Sequence, residues 1–364
     1  MKNITLIAGA RPNFMKIAPI LHELKKRQAA GAKIAYRLVH TGQHFDHKMS
    51  DVFFKQLDIP EPDVNLGAGG GSQAEQTAAI MMGFEKELQQ HPADLVIVVG
   101  DVTSTMACAI TAQKMHTKVA HVEAGIRSGD WTMPEEINRL VTDSITNYFF
   151  TTSEVANQHL RYSGVSDERI FFVGNTMIDT LYKHLDGLIQ PDVWKQNGLR
   201  EKDFFVLTLH RPSNVDNPEK LKALLEAITT TVGGAPVVFP VHPRTRKIMD
   251  EHCPDISGLI TTDPLSYKEF IYLVKNAKAV ITDSGGITEE ATVLGVPCLT
   301  LRNTTERPET CTIGSNELIG DDLDKLKDCL NKIRQGVWKS SAIPPLWDGQ
   351  TAVRIVNVLL QLSI

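Results

Sequence analysis

The 364-residue chain has only five cysteines, Cys108, Cys253, Cys298, Cys311 and Cys329. They stand far apart, with no paired spacing that would mark a metal motif, so reduced thiols of a cytoplasmic protein are expected. No apolar run approaches the ~20 residues of a membrane span, which argues against a membrane partner. Met1-Lys2-Asn3-Ile4 leads straight into a short strand, so no signal peptide is expected. There is no surplus of positive charge either: 38 basic against 43 acidic side chains leave a net charge of −5. Such a chain offers no general field for nucleic acid, and any phosphate site must be local. No Gly-x-Gly-x-x-Gly fingerprint occurs. Gly67-Ala68-Gly69-Gly70-Gly71-Ser72 follows no strand and lacks a Lys-Ser or Lys-Thr pair. It reads as a loop with Ser72 capping a helix from Gln73, and not as a P-loop. What is present is 42% apolar and 22% charged residues, the balance of a packed protein. The length exceeds one ordinary core and implies about two domains.

Strand and helix patterns alternate along the chain. Ile4–Ala8, Ile34–His40, Leu95–Val99, Lys118–Val122, Tyr148–Thr151 and Ile170–Val173 read as buried strands. Helical spacing follows the first of them at Ile17, Ile20, Leu21 and Leu24, and Ser153–Tyr162 reads as a helix. Met177–Leu188 reads as a crossover helix into a second domain, where Phe204–Leu209, Val237–Val241, Gly258–Thr261 and Ala279–Thr282 are strands and Tyr267–Asn276 a helix. The fold class implied is α/β, with two doubly wound Rossmann-like domains facing a cleft. The expected division is residues 1–174, residues 175–351, and a C-terminal helix within 352–364 that packs back over the junction.

Chemistry concentrates at the carboxyl ends of the strands, where open α/β sheets hold ligands. Asp283-Ser284-Gly285-Gly286-Ile287-Thr288-Glu289-Glu290 follows a strand and opens a helix. Ser284 is placed to cap that helix, and the amides of Ser284, Gly285 and Gly286 make a ready anion site. Gly9-Ala10-Arg11-Pro12, with Lys16 one turn on, reads as a second phosphate grip. Gly100-Asp101, Glu123-Ala124-Gly125 and Glu135 gather three carboxylates at or beyond one sheet edge, which favours acid/base work over plain solvation. His210-Arg211 ends a strand of the second half. His44 and His47 form a close pair without a third ligand, so no metal site is expected.

Nine of these pieces stand in order over nearly the full length: Gly9–Pro12, Thr41–His44, Gly100-Asp101, His121–Gly125, Pro134–Arg139, Gly174–Thr176, His210-Arg211, Thr282–Glu290 and Thr305–Glu309. In this the chain resembles the non-hydrolysing UDP-N-acetylglucosamine 2-epimerases. The resemblance implies the two-domain glycosyltransferase-B architecture, a homodimer, a UDP-sugar substrate and no cofactor or metal. It implies elimination of UDP to a 2-acetamidoglucal and re-addition with inversion at carbon 2, since the hydrogen there is not acidified by a carbonyl. Asp101, Glu123 and Glu135 would be the acid/base set. His210 would assist the departing UDP, kept protonated by a nearby carboxylate. Arg11, Lys16 and the Ser284-Gly285-Gly286 amides would hold phosphates, and Arg139 would orient Glu135 or the diphosphate. Glu290 would accept from the ribose hydroxyls, Arg307 would support the UDP pocket, and Leu265 and Phe270 would border the uracil. A second, activating site would use Gln43, His44 and Arg211.

The chain departs from the family pattern at four places, one of them the loop Ser128–Met133. Asn13 stands where a glutamate is usual, Pro212-Ser213 interrupts the usual His-Arg-Arg-Glu-Asn, and Glu75 replaces a basic residue of the second site, which argues against activation. Alternatives on the same residues are an epimerase of a diacetamido uronic acid sugar, a hydrolysing epimerase releasing free N-acetylmannosamine, a UDP-sugar glycosyltransferase and a non-catalytic UDP-sugar binder.

Overall fold

The computed structural model describes residues 1–42, 59–252 and 256–363. It divides into two units, Met1–Thr180 with Pro345–Ile364, and Leu181–Pro344. The first is built on β1 (Lys2–Ala8), β2 (Ile34–His40), β3 (Val64–Asn65), β4 (Leu95–Val99), β5 (Lys118–Val122), β6 (Tyr148–Thr151) and β7 (Ile170–Phe172). All pair in parallel, in the order β3-β2-β1-β4-β5-β6-β7. The second carries β8 (Phe205–Thr208), β9 (Val237–Pro240), β10 (Leu259–Thr262), β11 (Ala279–Thr282), β12 (Cys298–Thr300) and β13 (Asn316–Leu318). These too are parallel, in the order β10-β9-β8-β11-β12-β13. Both orders are doubly wound, and each reverses direction once, between β1 and β4 and between β8 and β11. Ligands of such sheets collect at the carboxyl ends beside that reversal. The expected α/β class therefore stands.

The strands explain themselves by burial. Leu95–Val99 is buried at every position, as a central parallel strand covered on both faces must be. Three short strands, β3, β12 and β13, were not read from sequence, because two or three residues leave too little periodicity. Ser72 caps the helix Gln73–Gln90 as expected, accepting from the Glu75 amide while Glu75 Oε2 accepts from the Ser72 amide at 2.8 Å. Glu75 thus completes a local capping box. Cys108, Cys298 and Cys329 are buried free thiols and Cys311 is half-buried, while Cys253 lies outside the described residues.

The division falls at residue 180 and at residue 345, where the sequence placed it at 174 and 351. Side-chain anchoring accounts for both shifts. Asp179 accepts from the Thr351 and Ala352 amides at 3.0 and 2.7 Å, capping the helix Thr351–Gln361. Thr180 Oγ1 donates to the Met15 carbonyl, and the buried Trp347 donates through Nε1 to the Thr152 carbonyl at 3.0 Å. The start of the helix Thr176–His184 and the chain's last twenty residues are therefore tied into the first unit. There the C-terminal helix shares a core with Ile17, Leu21 and Leu24 through Ile355, Val356 and Leu359. Gly174, at φ 102°, lies so close to Leu346 that a Cβ would run into its carbonyl oxygen. Among the described residues no helix is long and apolar enough to cross a membrane.

Candidate functional site

At the reversal of the first sheet, two turns leave the strands side by side, Gly9-Ala10 after β1 and Gly100-Asp101 after β4. Asn13 joins them. Its Oδ1 accepts from the Gly9 and Ala10 amides at 3.2 and 3.0 Å, and its Nδ2 donates to the Val99 carbonyl at 3.0 Å. The Gly9 and Ala10 amides are thus already engaged within the turn. The backbone of Arg11 begins the helix Arg11–Ala29, while its side chain lies outside the described residues, as do Gln43 and His44.

Lys16 rises from that helix and pairs with Glu123 Oε2 at 2.7 Å. Glu123 is buried and holds a left-handed backbone, φ 70°, which costs a non-glycine residue about 1–2 kcal/mol. Lys16 and Glu123 sit over Gly100: a Cβ there, at φ 69°, would meet Lys16 Nζ at 3.2 Å and Glu123 Oε2 at 4.0 Å. The neighbouring Asp101, partly exposed, is gripped by Arg139, whose Nη2 and Nε donate to Asp101 Oδ2 at 2.5 and 3.1 Å. Arg139 is buried and also donates to Glu136 Oε2 at 2.8 Å. It therefore orients Asp101. Glu136 accepts in addition from the Ser128 and Gly129 amides at 2.9 and 3.1 Å. Burial pushes the Glu136 carboxyl up, but the Ser128 amide, Arg139 and the Gly129 amide more than offset it and hold the carboxyl below its usual range. Glu135, one residue earlier on the helix Pro134–Ile145, is partly exposed and makes no hydrogen bond or ion pair among the described residues. Asp101 and Glu123 are thus brought together with their cations, and Glu135 stands apart from both pairs.

In the second unit the centre is Asp283, which sequence reasoning passed over as a site residue. It is fully buried at the end of β11 and pairs through Oδ1 with His210 Nδ1 at 2.6 Å. Its carboxylate also accepts from the His210 and Arg211 amides at 3.1 and 3.0 Å and from Asn214 Nδ2 at 3.1 Å. Burial pushes Asp283 up, but His210, the Arg211 amide and Asn214 win and hold it below the usual carboxylate range. The His210 side chain is 58% exposed, anchored at Nδ1 with its other edge free to turn outward. Asp283 is thus the carboxylate that the sequence expected near His210. The signal was an aspartate directly after four buried strand residues.

Ser284 occupies the cap of the helix Gly285–Val293, but its side chain makes no capping bond, and its amide donates to Thr282 Oγ1 at 3.0 Å. The Ser284 amide is thus engaged, while the first-turn amides of Gly285 and Gly286 have no intrahelical acceptor. A Cβ on Gly286 would meet nothing within 4 Å, and its φ is ordinary, so neither packing nor backbone requires glycine there. Space for a close ligand is the remaining reason. Glu290, one turn on, is buried and accepts from the Tyr267 hydroxyl at 2.8 Å. Arg307 is buried against Glu289, Nε to Oε1 at 2.5 Å, and so braces this helix from behind. Leu265 and Phe270 are partly buried beside Ile287 on the edge of one apolar core.

Burial raises the Glu290 carboxyl from its ordinary 4.5 to about 8, with Tyr267 opposing and Glu289 adding to the shift. Between those values the folded chain holds a proton that the unfolded chain has released, so stability falls as pH rises across the window. Each pH unit carries up to about 1.4 kcal/mol. Glu290→Gln is expected to flatten this slope: its thermal midpoint should exceed that of the wild type most at about pH 8 and converge with it near the low end of the window. A midpoint difference that does not change with pH would refute the assignment.

The family model described as UDP-N-acetylglucosamine 2-epimerase matches residues 25–360. A UDP-N-acetylglucosamine 2-epimerase of Methanocaldococcus jannaschii is 39% identical over 370 residues, covering 98% of each chain. A UDP-2,3-diacetamido-2,3-dideoxy-D-glucuronate 2-epimerase of Pseudomonas aeruginosa is 39% identical over 324 residues, covering 88% of each. The crystal structure of the Methanocaldococcus jannaschii UDP-GlcNAc 2-epimerase in complex with UDP-GlcNAc and UDP superposes with a TM-score of 0.84 at 39% identity, covering 99% of both chains.

Proposed function

The chain belongs to the UDP-N-acetylglucosamine 2-epimerase family, and we propose that it interconverts UDP-N-acetylglucosamine and UDP-N-acetylmannosamine. A carboxylate removes the hydrogen on carbon 2 as the bond from carbon 1 to UDP breaks, leaving 2-acetamidoglucal. UDP then re-adds at carbon 1 while a proton reaches carbon 2 from the opposite face. No net redox occurs. The observation that carries this reading is the pair of cation-held carboxylates at one sheet reversal, Glu123 with Lys16 and Asp101 with Arg139. Two carboxylates in different settings suit a base and an acid. The Arg139 fork fixes Asp101 in place, and the partly exposed Glu135, apart from both pairs, is the third member of the acid/base set.

The second unit takes the nucleotide. The Gly285 and Gly286 amides hold phosphate, and Glu290 accepts from the ribose; in the first unit, Arg11 and Lys16 are assigned to phosphate. Leu265 and Phe270 border the uracil, and Arg307 braces the helix that carries Glu290. His210, held at Nδ1 by Asp283, turns its Nε2 edge to the departing UDP oxygen and stabilises it. We place the working enzyme in the cytoplasm as a homodimer. Gln43, His44 and Arg211 belong to a second UDP-sugar site that Glu75 weakens, since its carboxylate caps a helix and supplies no cation.

Incubation with UDP-N-acetylglucosamine in heavy water, followed by NMR, tests the reading. Deuterium at carbon 2 with UDP-linked N-acetylmannosamine is the expected result. Free N-acetylmannosamine would make the enzyme a hydrolysing one. Exchange with UDP-2,3-diacetamido-2,3-dideoxy-D-glucuronate alone would assign that sugar instead, a reading favoured by the Pseudomonas relative. No exchange with either sugar would overturn the epimerase reading.

A further inference from the structure

Behind the carboxylates of the first unit lies a buried polar cluster to which the chemistry above assigns no part. His121 has no exposed surface. Its Nδ1 lies 2.7 Å from Asp143 Oδ1, and its Nε2 lies 2.8 Å from the Gly100 carbonyl oxygen. A carboxylate and a carbonyl can only accept, so the ring donates at both nitrogens. Asp143, also buried, accepts through Oδ2 from Arg127 Nη1 at 2.6 Å and from the Gly125 amide at 3.0 Å. Burial pushes the Asp143 carboxyl up, but His121 and Arg127 more than offset it, leaving it ionised as an acceptor on all sides.

The cluster reaches both functional turns at once. His121 holds the carbonyl of the residue before Asp101. Asp143 holds the amide of the residue two after Glu123. Gly100 and Gly125 have φ of 69° and 77°, and Glu123 between His121 and Gly125 is itself left-handed at 70°. A Cβ on Gly125 would collide with the Ala156 carbonyl oxygen, so this turn cannot relax by substitution. A strained backbone persists where its surroundings over-determine it. Here Asp143 and the neighbouring strand do so on one side and His121 on the other.

We propose that the buried cluster of His121, Asp143 and Arg127 is a positioning element that sets the separation and aim of Asp101 and Glu123. It rests on the reading of those two carboxylates as the acid/base pair. None of the three touches the reacting atoms; they act through the Gly100 and Gly125 backbone. Loss of the cluster should therefore misplace the carboxylates while leaving nucleotide binding in the second unit intact. A misplacement near 1 Å costs about 100-fold in rate.

The test uses the full chain with Asp143→Asn, His121→Asn and Arg127→Lys, the last a milder change at a side chain with some solvent exposure. Expected for the first two is a loss of about 100-fold in kcat for deuterium entry at carbon 2, with KM and UDP affinity within about threefold and the pH–rate profile displaced. Arg127→Lys should show a smaller loss of the same kind. Folded variants with wild-type kcat and an unmoved pH profile would overturn the proposal, and Arg127→Lys decides it should the buried variants fail to fold. In protein with 15N-labelled histidine, His121 should show two hydrogen-bonded ring N–H signals, and Asp143→Asn should lose the one on Nδ1. A single ring N–H in the wild type would sink the cluster even if exchange occurs. Absence of exchange in the wild type, with both signals present, would instead sink the epimerase reading.

Discussion

Asp101→Asn and Glu123→Gln are each expected to slow deuterium entry at carbon 2 by about 1,000-fold or more, with UDP affinity unchanged within about threefold. Each amide keeps the shape of the acid and removes only its proton chemistry and charge. Asp101 is held by two N–H groups of a buried arginine, so the asparagine keeps an acceptor for Arg139 and the local structure survives. Glu123 is buried with Lys16 at 2.7 Å, and glutamine there leaves the lysine facing a neutral partner. That loss adds a cost in stability of up to a few kcal/mol, because the half-buried lysine loses a close counter-charge. Thermal midpoints therefore accompany the exchange measurement. Exchange at the wild-type rate in a folded Asp101→Asn or Glu123→Gln protein would remove that residue from the mechanism.

Asp283→Ala should be the most damaging change in the second unit, lowering stability by about 3–5 kcal/mol. The methyl group takes this acceptor from the His210 and Arg211 amides and one of two acceptors from Asn214 Nδ2, and each orphaned donor costs about 1–3 kcal/mol. Asp283→Asn is milder to the fold, yet it weakens the contact that fixes His210 Nδ1, so elimination of UDP should slow with it. The pH dependence separates the two effects. Asp283 is held below the usual carboxylate range, so its stabilisation is present above that range and lost as pH falls through the folded value. Urea midpoints of the wild type should fall in acid more steeply than those of Asp283→Asn. Parallel acid slopes for the two proteins would show that Asp283 carries no such load.

The conformations left to His210 follow from the same contact. With Nδ1 fixed on Asp283, the ring can present only Nε2 to a ligand, as a leaving-group donor requires. The pairing was foreshadowed by an aspartate closing an apolar strand, but sequence distance hid it. Residues 210 and 283 end adjacent strands of the sheet, β8 and β11, with Thr208 opposite Thr282 in the register. Parallel pairing across a crossover is a non-local event, and no local pattern announces it.

Much of this protein was legible in the order of its residues. Buried runs such as Leu95–Val99 can only be central parallel strands, and a strand followed by a small-residue turn and a helix places Asp101, Glu123, His210 and Ser284 at carboxyl edges without any coordinates. Local backbone chemistry and hydrophobic burial decide such features within a few residues, which is why the α/β class and the family pattern could be read directly. Partnership could not be. That Asn13 ties its turn to the Val99 carbonyl, that Arg139 serves Asp101, that Tyr267 donates to Glu290, and that His121 and Asp143 brace two turns at once all depend on groups brought together by the fold. Such contacts join positions tens of residues apart, and their energies turn on burial and on distances of a few tenths of an ångström. The sequence alone determined which residues reach the functional edge of each sheet; only the tertiary structure decided which of them hold one another there.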